Sequence, residues 1–392
     1  MSIYQQRGYE VRTAARAREL TTAWLREQQI ENFVLGLPEV DDRYHLWRVP
    51  VLCPNSTRAG EVAIAAVGGA IDVARTASAG IIRERITAAA GEPAPTRAVK
   101  GRYAKQETRR EVLHGDSRSA LRTLPVGSID LAFTSPPYYN ARPEYADYAT
   151  YNEYLDQVQE VIRESARVLG EGRFFVMNIS PVLLRRKNRN SASTRLAVPF
   201  DMHRLFMAEG FDFIDHIIWQ KPEGAGWATG RGRRFAADRN PLQYKTVPVT
   251  EDILVYRKAS SRLIDWNIRT QPDQEAVKRS RIGDGYDRTN IWRISPANDK
   301  RHPAIFPEAL AERVIRYYSF EGDTVLDPYG GLGTAGRVAQ RMNRGFVMVE
   351  RDDTYHHHMA VDISAGKWGG LLAPVAFTCA KPDCHSNTCL VT

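Results

Sequence analysis

The segment "VLDPYGGLGTAGRV", residues 325–338, indicates the fold of this chain. It begins as the end of an apolar strand and places Asp327 at that strand's carboxyl end. A helix predicted to open after Thr334 would present free N–H groups toward a ligand. Glycines that permit a tight turn and a close backbone approach lie between strand and helix: Gly330, Gly331 and Gly333. Strand, glycine loop and helix in this order predict a ligand site at the edge of a sheet.

The next predicted strand strengthens this interpretation because it ends in a second acid. "VMVE" ends at Glu350, 23 residues after Asp327. An acid about 20 residues beyond a glycine loop is typical of a carboxylate that binds a ribose diol. The full pyrophosphate fingerprint is absent, and an acid before the glycines would repel phosphate but attract an ammonium group. The pattern therefore favours a nucleoside with an amino-acid arm, and S-adenosylmethionine has both parts.

A second motif, "TSPPYYNARPEY" at residues 134–145, follows the buried strand "SIDLAF" at residues 128–133. Two adjacent prolines cannot donate backbone hydrogen bonds, so neither a helix nor a central strand continues through them. One interpretation is an ordinary turn that ends a strand. The other is an active-site edge that the prolines stiffen and the strand orients.

The chain from Glu111 onward alternates between predicted strands and helices, which indicates a mainly parallel sheet covered on both faces. Residues 1–100 have mixed helix and strand signals and no recognisable chemistry, so we predict an appended α+β unit. We predict a linker at residues 101–110, the main α/β domain at residues 111–365 and a tail at residues 366–392.

The composition is that of an ordinary globular protein of 392 residues, with 43% hydrophobic and 26% charged residues. The net charge of +8 suits a polyanionic partner such as nucleic acid. No apolar run is as long as a membrane span, and the first residues lack the apolar core of a signal peptide. Four cysteines do not form a disulfide framework. We therefore expect a cytoplasmic protein.

Three of the cysteines cluster near the end of the chain, in "CAKPDCHSNTC". Four residues there could ligate zinc: Cys379, Cys384, His385 and Cys389. Their spacing is not that of a standard zinc knuckle, and a loose tail is the alternative. We predict no metal site and keep the zinc interpretation open.

"TSPPY" followed later by "DPYGGLGT" resembles the DNA amino-methyltransferases, specifically their permuted, beta-type group, in which the catalytic motif precedes the cofactor motif. The usual second motif is Asp-Pro-Phe-x-Gly-Ser-Gly-Thr. Tyr329 and Leu332 depart from it here without removing a needed glycine. "HPAIFPEALAERVI", from His302, and "HGDSRSALRTLP", which contains Asp116, resemble the segments that flank the cofactor. The resemblance covers roughly residues 111–360.

The resemblance implies a Rossmann-like, S-adenosylmethionine-dependent methyltransferase fold. It implies this cofactor-binding set: Asp116, Thr134, Phe306, Asp327, Tyr329, Gly330, Gly331, Gly333, Thr334 and Glu350. The implied catalytic set is Ser135, Pro136, Pro137 and Tyr138.

The exocyclic amine of a base is a poor nucleophile because its lone pair is delocalised into the ring. Ser135 Oγ and the Pro136 carbonyl can accept hydrogen bonds from that amine, and Tyr138 can stack on a base flipped out of the duplex. A ring-carbon methyltransferase needs a thiolate in a Pro-Cys pair, whereas this chain has only the reversed Cys53-Pro54. In the resembled family serine at position 135 is commoner with cytosine, so we predict N4 of cytosine and keep N6 of adenine as the alternative.

Two basic loops near the predicted active-site edge are candidates for contact with double-stranded DNA. Their residues are Arg185, Arg186, Lys187, Arg231, Arg233 and Arg234. Residues 259–301 occupy the position of a target-recognition region in the resembled group. The resemblance also suggests a bacterial, archaeal or phage protein of restriction-modification type, a monomer or dimer with a cognate restriction endonuclease as functional partner.

Two rival interpretations stay open. The same sheet could belong to a non-catalytic nucleic-acid-binding relative, although the intact acids, glycines and "SPPY" motif disfavour it. An RNA or small-molecule methyltransferase is the other, and "SPPY" beside two basic loops favours a base in DNA over it.

Overall fold

The computed structural model describes residues 8–89, 107–139, 148, 150–184, 194–223, 248–302, 305–369 and 374–381. The chain divides into two compact units, residues 1–100 and residues 101–392. In the described parts of both units, none of the helices combines the length and the apolar character that a membrane crossing requires.

The first unit packs two helices with a small antiparallel sheet. Its elements are α1 (Ala14–Glu27), β1 (Val34–Leu35), β2 (Glu39–Asp41), β3 (Leu46–Leu52), β4 (Arg58–Ala65) and α2 (Ala79–Ala88). β3 pairs with the other three strands. The Thr13 side chain caps α1 by accepting from the Arg16 N–H. The apolar positions of α1 and β3, among them Leu25 and Val49, form the core of this unit.

The second unit contains the long alternation of strands and helices. Its elements in chain order are β5 (Arg110–His114), α3 (Ser117–Arg122), β6 (Ile129–Thr134), α4 (Tyr151–Val168), β7 (Leu169–Ile179), β8 (Val182–Leu184), β9 (Thr194–Leu196), α5 (Val198–Ala208), β10 (Phe211–Gln220), β11 (Thr250–Lys258), α6 (Asp265–Thr270), α7 (Gln274–Arg279), β12 (Ile291–Arg293), α8 (Glu308–Tyr318), β13 (Thr324–Asp327), α9 (Thr334–Arg341), β14 (Gly345–Glu350), α10 (Asp353–Ser364) and β15 (Ala376–Cys379).

Nine of these strands form one sheet in the order β12-β10-β11-β7-β6-β13-β14-β5-β15. β11 runs antiparallel to both of its neighbours, whereas every other pairing between the described strands of this sheet is parallel. The predicted mainly parallel α/β sheet is therefore confirmed. One consequence matters for the site: β11 begins at the edge where its neighbours end.

The sheet is covered on both faces because residues of its central strands alternate between two apolar cores. On β6, Ala132 belongs to the core beneath α4 and α5, whereas Leu131 and Phe133 belong to the core beneath α8, α9 and α10. All six residues of β6 are buried. A continuous buried run of this kind is typical of a central strand in a parallel sheet.

β13 lies between β6 and β14 although the chain reaches it almost 200 residues after β6. At the edge of the sheet where β6 and β13 begin, the buried Arg173 guanidinium bridges Asp130 on β6 and Asp323 just before β13, at 2.9 and 3.0 Å. Asp130 also accepts from the Thr324 N–H at 2.9 Å. These bonds align β6, β7 and β13 so that their carboxyl ends meet.

The predicted tail from residue 366 is wrong in part. Trp368 is fully buried in the core beneath α9 and α10. β15 adds a parallel strand beside β5, with Cys379 opposite His114. The physical reason is packing: the Trp368 indole lies against Gly333 and Gly336. The chain then returns to the sheet as β15. Residues 382–392, with Cys384, His385 and Cys389, lie outside the described residues.

The segment 259–301, predicted to take part in target recognition, contains α6, α7 and β12. β12 extends the sheet next to β10, and Trp292 is buried there. The Trp219 indole N–H donates to the Ile294 carbonyl at 2.9 Å. The end of this segment is therefore part of the sheet core, and its recognition role stays a prediction.

Candidate active site

Polar side chains end three adjacent parallel strands at one edge of the sheet. Thr134 ends β6, Asp327 ends β13 and Glu350 ends β14. Thr134 Oγ1 donates to Asp327 Oδ1 at 2.6 Å, and both residues are buried. The structure thus joins the residue before "SPPY" directly to the acid of the glycine motif.

The glycine loop wraps around Glu350. The Gly331 N–H donates to Glu350 Oε2 at 2.7 Å, and the Gly330 N–H donates to the Val349 carbonyl at 2.8 Å. Gly331 and Gly333 have φ values of 55° and 76°, a region that favours glycine. Thr334 follows as the first residue of α9. The backbone of the loop therefore contacts both acids, through the Gly331 N–H to Glu350 and the Tyr329 N–H to Asp327.

Gly333 is required for a second reason. A Cβ atom at this position would lie 2.3 Å from Cζ2 of Trp368. A Cβ atom at Gly336, one turn along α9, would also approach the indole, at 2.8 Å. The Trp368 indole therefore packs directly beneath the loop and the first turn of the helix and forms the floor of both. The sequence interpretation assigned this tryptophan to the tail and missed it.

Burial raises the pKa of Asp327 to about 7, and hydrogen bonds from Thr134 and the Tyr329 N–H only partly offset this. Burial likewise raises the pKa of Glu350 to about 7. Within the described part of the chain, neither carboxyl group is ion-paired with a lysine or arginine. A buried Asp327 and a half-buried Glu350 without a paired lysine or arginine fit a ligand that has a positive charge and hydroxyl donors.

The remaining residues of the predicted cofactor set lie around this edge. Asp116 caps α3 and pairs with Arg118 at 2.9 Å. Burial would raise the pKa of Asp116, but hydrogen bonds from Arg118 lower it below its ordinary value. The neighbouring Ser117 hydroxyl donates to the Pro328 carbonyl, which ties α3 to the glycine loop. Phe306 packs against Phe133 of β6 at a ring separation of 4.9 Å.

The "SPPY" turn leaves β6 with a buried Pro136 and with Ser135 and Tyr138 partly exposed. The Tyr138 hydroxyl donates to Glu251 Oε2 at 2.8 Å, and Ser135 Oγ lies 3.5 Å from the Tyr138 oxygen. Burial and the nearby Glu251 carboxylate raise the pKa of Tyr138 well above its ordinary value. The ring is therefore a neutral phenol at the edge of the predicted base pocket.

Three residues of this turn's surroundings were missed by the sequence interpretation. Asn178 Nδ2 donates to Glu251 Oε2 at 2.7 Å and lies 3.4 Å from both Ser135 Oγ and the Tyr138 oxygen. Lys221 Nζ bonds the other carboxylate oxygen, Glu251 Oε1. The position of Asn178 near the end of a strand was a usable signal. No sequence signal pointed to Glu251, because it is the second residue of a strand whose antiparallel direction the sequence does not reveal.

The six basic residues predicted to contact DNA lie outside the described residues, as does most of the segment that follows Tyr139. Their role stays a prediction. The structure brings together the other two predicted groups, the cofactor set and the catalytic set, along the carboxyl ends of β6, β13 and β14.

Several known proteins are similar to this chain. The type II beta methyltransferase M.BslI of Bacillus sp. (strain NEB-606) is 25% identical over 256 residues, which cover 63% of this chain and 27% of M.BslI. The chain thus spans less than a third of that relative's length. The DNA adenine methyltransferase YhdJ of Escherichia coli (strain K12) is 28% identical over 255 residues, or 62% of this chain and 79% of YhdJ.

A similar solved structure is TTHA0409 of Thermus thermophilus in complex with S-adenosyl-L-methionine. It is 27% identical, has a TM-score of 0.53, and the match covers 68% of this chain and 98% of TTHA0409. The family profile of N6/N4 DNA methylases matches residues 129–362, more than half of the chain and the whole stretch from the start of β6 to the final turns of α10. The chain therefore belongs to the N6/N4 DNA methylase family.

Proposed function

We propose that this protein is a DNA methyltransferase that transfers a methyl group from S-adenosylmethionine to N4 of a flipped cytosine. The observation that carries the proposal is the Thr134–Asp327 hydrogen bond of 2.6 Å. It links the strand that presents "SPPY" to the strand that presents the glycine loop. A methyl donor held by the loop would therefore lie next to a base held by the turn, which is the proximity that a direct displacement needs.

The chemistry of the donor site supports S-adenosylmethionine. Asp327 offers a buried carboxyl group to the ammonium of its amino-acid part, and the half-buried Glu350 offers a second carboxyl group to the ribose hydroxyls. The relative TTHA0409 was solved with this molecule bound. When bound, the sulfonium group supplies an activated methyl group, and this chain's own residues orient the nitrogen that receives it.

The acceptor side needs groups that accept N–H bonds without competing for the methyl group. Ser135 Oγ and the Pro136 carbonyl are placed on a turn that two prolines stiffen, so they are oriented before the base arrives. The partly exposed Tyr138 ring can cover the face of a base. A base inside a duplex cannot reach this turn, so the target must be flipped out.

The proposal of cytosine rests on Ser135, a neutral acceptor beside the amine. N6 of adenine is the second candidate, because the backbone acceptor at Pro136 serves either amine and YhdJ, a relative of similar identity, is named a DNA adenine methyltransferase. We further propose the permuted, beta-type arrangement, since "SPPY" precedes the glycine motif here and M.BslI carries the beta designation in its name.

The proposed partner is double-stranded DNA, and the proposed setting is restriction-modification with a cognate endonuclease, the protein being a monomer or dimer. The net charge of +8 supports a polyanionic partner.

The test is to incubate the purified chain with unmethylated plasmid DNA and isotope-labelled S-adenosylmethionine, digest the DNA to nucleosides and identify the labelled product by mass spectrometry. N4-methylcytosine is the expected product. N6-methyladenine alone would replace the cytosine assignment and keep the mechanism. C5-methylcytosine would contradict the mechanism, and cofactor binding without any transfer to DNA would favour the non-catalytic alternative.

A further inference from the structure

We infer that Glu251 is a positioning residue that orients the hydroxyl protons of Tyr138 and Ser135, so that Ser135 presents a lone pair rather than its proton to the target base. The inference rests on the proposed function and deepens it, because it explains how the pocket would select an amino group. Three features of the described residues support it: the bonds of Glu251, the geometry of the two hydroxyls and the direction of β11.

Glu251 reaches the turn because β11 is antiparallel. The carboxyl ends of β6, β7 and β10 and the amino end of β11 all lie at one edge of the sheet. Glu251, the second residue of β11, therefore lies where Ser135 leaves β6. Across β11 and β10, Glu251 is the direct neighbour of Trp219. The carboxylate is thus held by the sheet itself rather than by a loop.

Both oxygens of Glu251 are occupied by donors. Oε2 accepts from the Tyr138 hydroxyl at 2.8 Å and from Asn178 Nδ2 at 2.7 Å, and Oε1 bonds Lys221 Nζ. The Lys221 ammonium also lies 4.5 Å from the Trp219 ring centre, which restrains it. A carboxylate accepts hydrogen bonds and donates none.

The Glu251 carboxylate, which only accepts, determines the direction of the hydroxyl chain, the series of hydrogen bonds from Ser135 to Tyr138 and from Tyr138 to Glu251. Tyr138 has one hydroxyl proton and uses it toward Glu251, so its oxygen can only accept hydrogen bonds, from Ser135 Oγ and from Asn178 Nδ2. Ser135 Oγ is 3.5 Å from that oxygen. This separation is longer than the usual 2.7–2.8 Å between hydroxyl oxygens, as is common in catalytic hydrogen bonds before the substrate is bound. With its proton turned toward Tyr138 and Asn178 Nδ2 donating to it at 3.4 Å, Ser135 Oγ keeps one lone pair for the pocket.

The consequence is selectivity for a donor on the base. The amino groups of cytosine and adenine donate to lone pairs, whereas the carbonyl of uracil or hypoxanthine at the same position would face acceptors only and leave buried groups unpaired. Replacing Glu251 by glutamine would remove the constraint, since an amide can donate to Tyr138 as well as accept from it. The hydroxyl chain could then reverse.

The first experiment measures single-turnover methyl transfer to unmethylated plasmid DNA by wild type and by Glu251→Gln, with the affinity for S-adenosylmethionine measured by calorimetry. We expect the rate to fall about 10- to 100-fold while cofactor affinity stays within about twofold. Glu209→Gln is the matched control, because Glu209 also accepts from a cation and an amide, Arg163 and Gln159, but contacts neither hydroxyl.

A double-mutant cycle with Tyr138→Phe separates positioning from general support of the fold. If Glu251 acts through the Tyr138 hydroxyl, the double variant will be no slower than Tyr138→Phe alone. Additive losses would overturn the inference. Glu251→Asp keeps an acceptor-only charge on a shorter side chain, so it should be faster than Glu251→Gln. It also serves as the test variant if the glutamine protein does not fold.

The second experiment measures the affinity of the protein for two unmethylated duplexes that contain its target sequence. One duplex has the target base intact. The other has the amine of that base replaced by a carbonyl, as uracil for cytosine or hypoxanthine for adenine. Wild type should bind the duplex with the amine more tightly. In Glu251→Gln the ratio of the two affinities should be smaller by about threefold or more. An unchanged preference would overturn the inference. Failure of wild type to methylate any DNA would instead contradict the proposed function, so the two failures are distinguishable.

Discussion

At the scale of a single residue, the buried Asp327 of the proposed cofactor site lowers the stability of the folded protein at and above neutral pH. Its pKa is raised to about 7 by burial, so the folded state holds a proton that the unfolded chain has already released above about pH 4. Stability contributed by this proton is therefore lost as the pH rises toward 7, and above pH 7 the fold carries a buried carboxylate with no cation of the described residues paired with it.

We predict that Asp327→Asn stabilises the protein, more at pH 8 than at pH 5. The amide oxygen can still accept from Thr134 Oγ1 and the Tyr329 N–H, while the buried charge is removed. The gain in free energy of unfolding should be on the order of 1 to 4 kcal/mol at pH 8, and S-adenosylmethionine binding should be abolished. Urea unfolding at the two pH values and calorimetry measure both. A variant that is less stable than wild type at pH 8 would contradict the prediction.

Ser135 is predicted to act on the acceptor and not on the methyl donor. Ser135→Ala removes one acceptor for the amine but leaves the Thr134–Asp327 bond and the glycine loop in place. We expect methyl transfer to fall by about 100-fold or more, with cofactor affinity within about twofold of wild type. Single-turnover rates and binding titrations check this, and equal losses in both quantities would show that the serine is structural.

The loop that opens α9 shows what is decided at the scale of an element. Gly333 and Gly127 both have positive φ, 76° and 70°, but a Cβ atom would touch Trp368 only at Gly333 and would meet open space at Gly127. Comparing substitutions at the two glycines therefore distinguishes the effect of backbone strain from the effect of contact with the tryptophan beneath the loop.

We predict that Gly333→Ala destabilises the protein more than Gly127→Ala. Backbone strain should cost each variant about 1 kcal/mol, and displacement of the Trp368 indole should add about 1–3 kcal/mol for Gly333→Ala alone. Denaturant unfolding of both variants gives the difference. Cofactor affinity should fall only for Gly333→Ala, and similar effects of the two substitutions would contradict the role of Trp368 as the floor of the loop.

At the scale of the whole molecule, the division into two compact units predicts that residues 101–392 fold without residues 1–100. The sheet, the glycine loop and the "SPPY" turn all lie in the second unit. We expect the fragment 101–392 to unfold cooperatively and to bind S-adenosylmethionine with wild-type affinity, as measured by circular dichroism and calorimetry. An unfolded fragment would show that the first unit is needed for the stability of the second.

The net charge of +8 suggests a further property of the whole molecule, the salt dependence of DNA binding. Replacing Arg185, Arg186 and Lys187 by glutamine should reduce the slope of log affinity against log salt by about 0.9 for each phosphate group that is no longer neutralised. The trio Arg231, Arg233 and Arg234 is predicted to behave alike. Fluorescence anisotropy over a range of salt concentrations measures the slope, and an unchanged slope would assign these residues to solvated loops.

The local signals of the sequence predicted the ends of the strands well. Asp327 and Glu350 lie at the ends of β13 and β14, and Ser135 follows the end of β6, as their strand-and-turn patterns indicate. Proline and glycine mark such ends through backbone restrictions that act within a few residues. The tail prediction failed for the complementary reason: nothing near Trp368 in the chain shows that it packs against Gly333 and Gly336.

The sequence by itself thus determined the α/β alternation and which residues stand at the strand ends, because these follow from periodicity and turn chemistry within short windows. Tertiary structure alone decided that β13 inserts between β6 and β14, which makes the Thr134–Asp327 bond, and that β11 runs antiparallel, which brings Glu251 to Tyr138. An apolar strand has the same pattern beside any neighbour and in either direction. Its partner is selected by the packing of the complete sheet between two cores, which no single segment encodes.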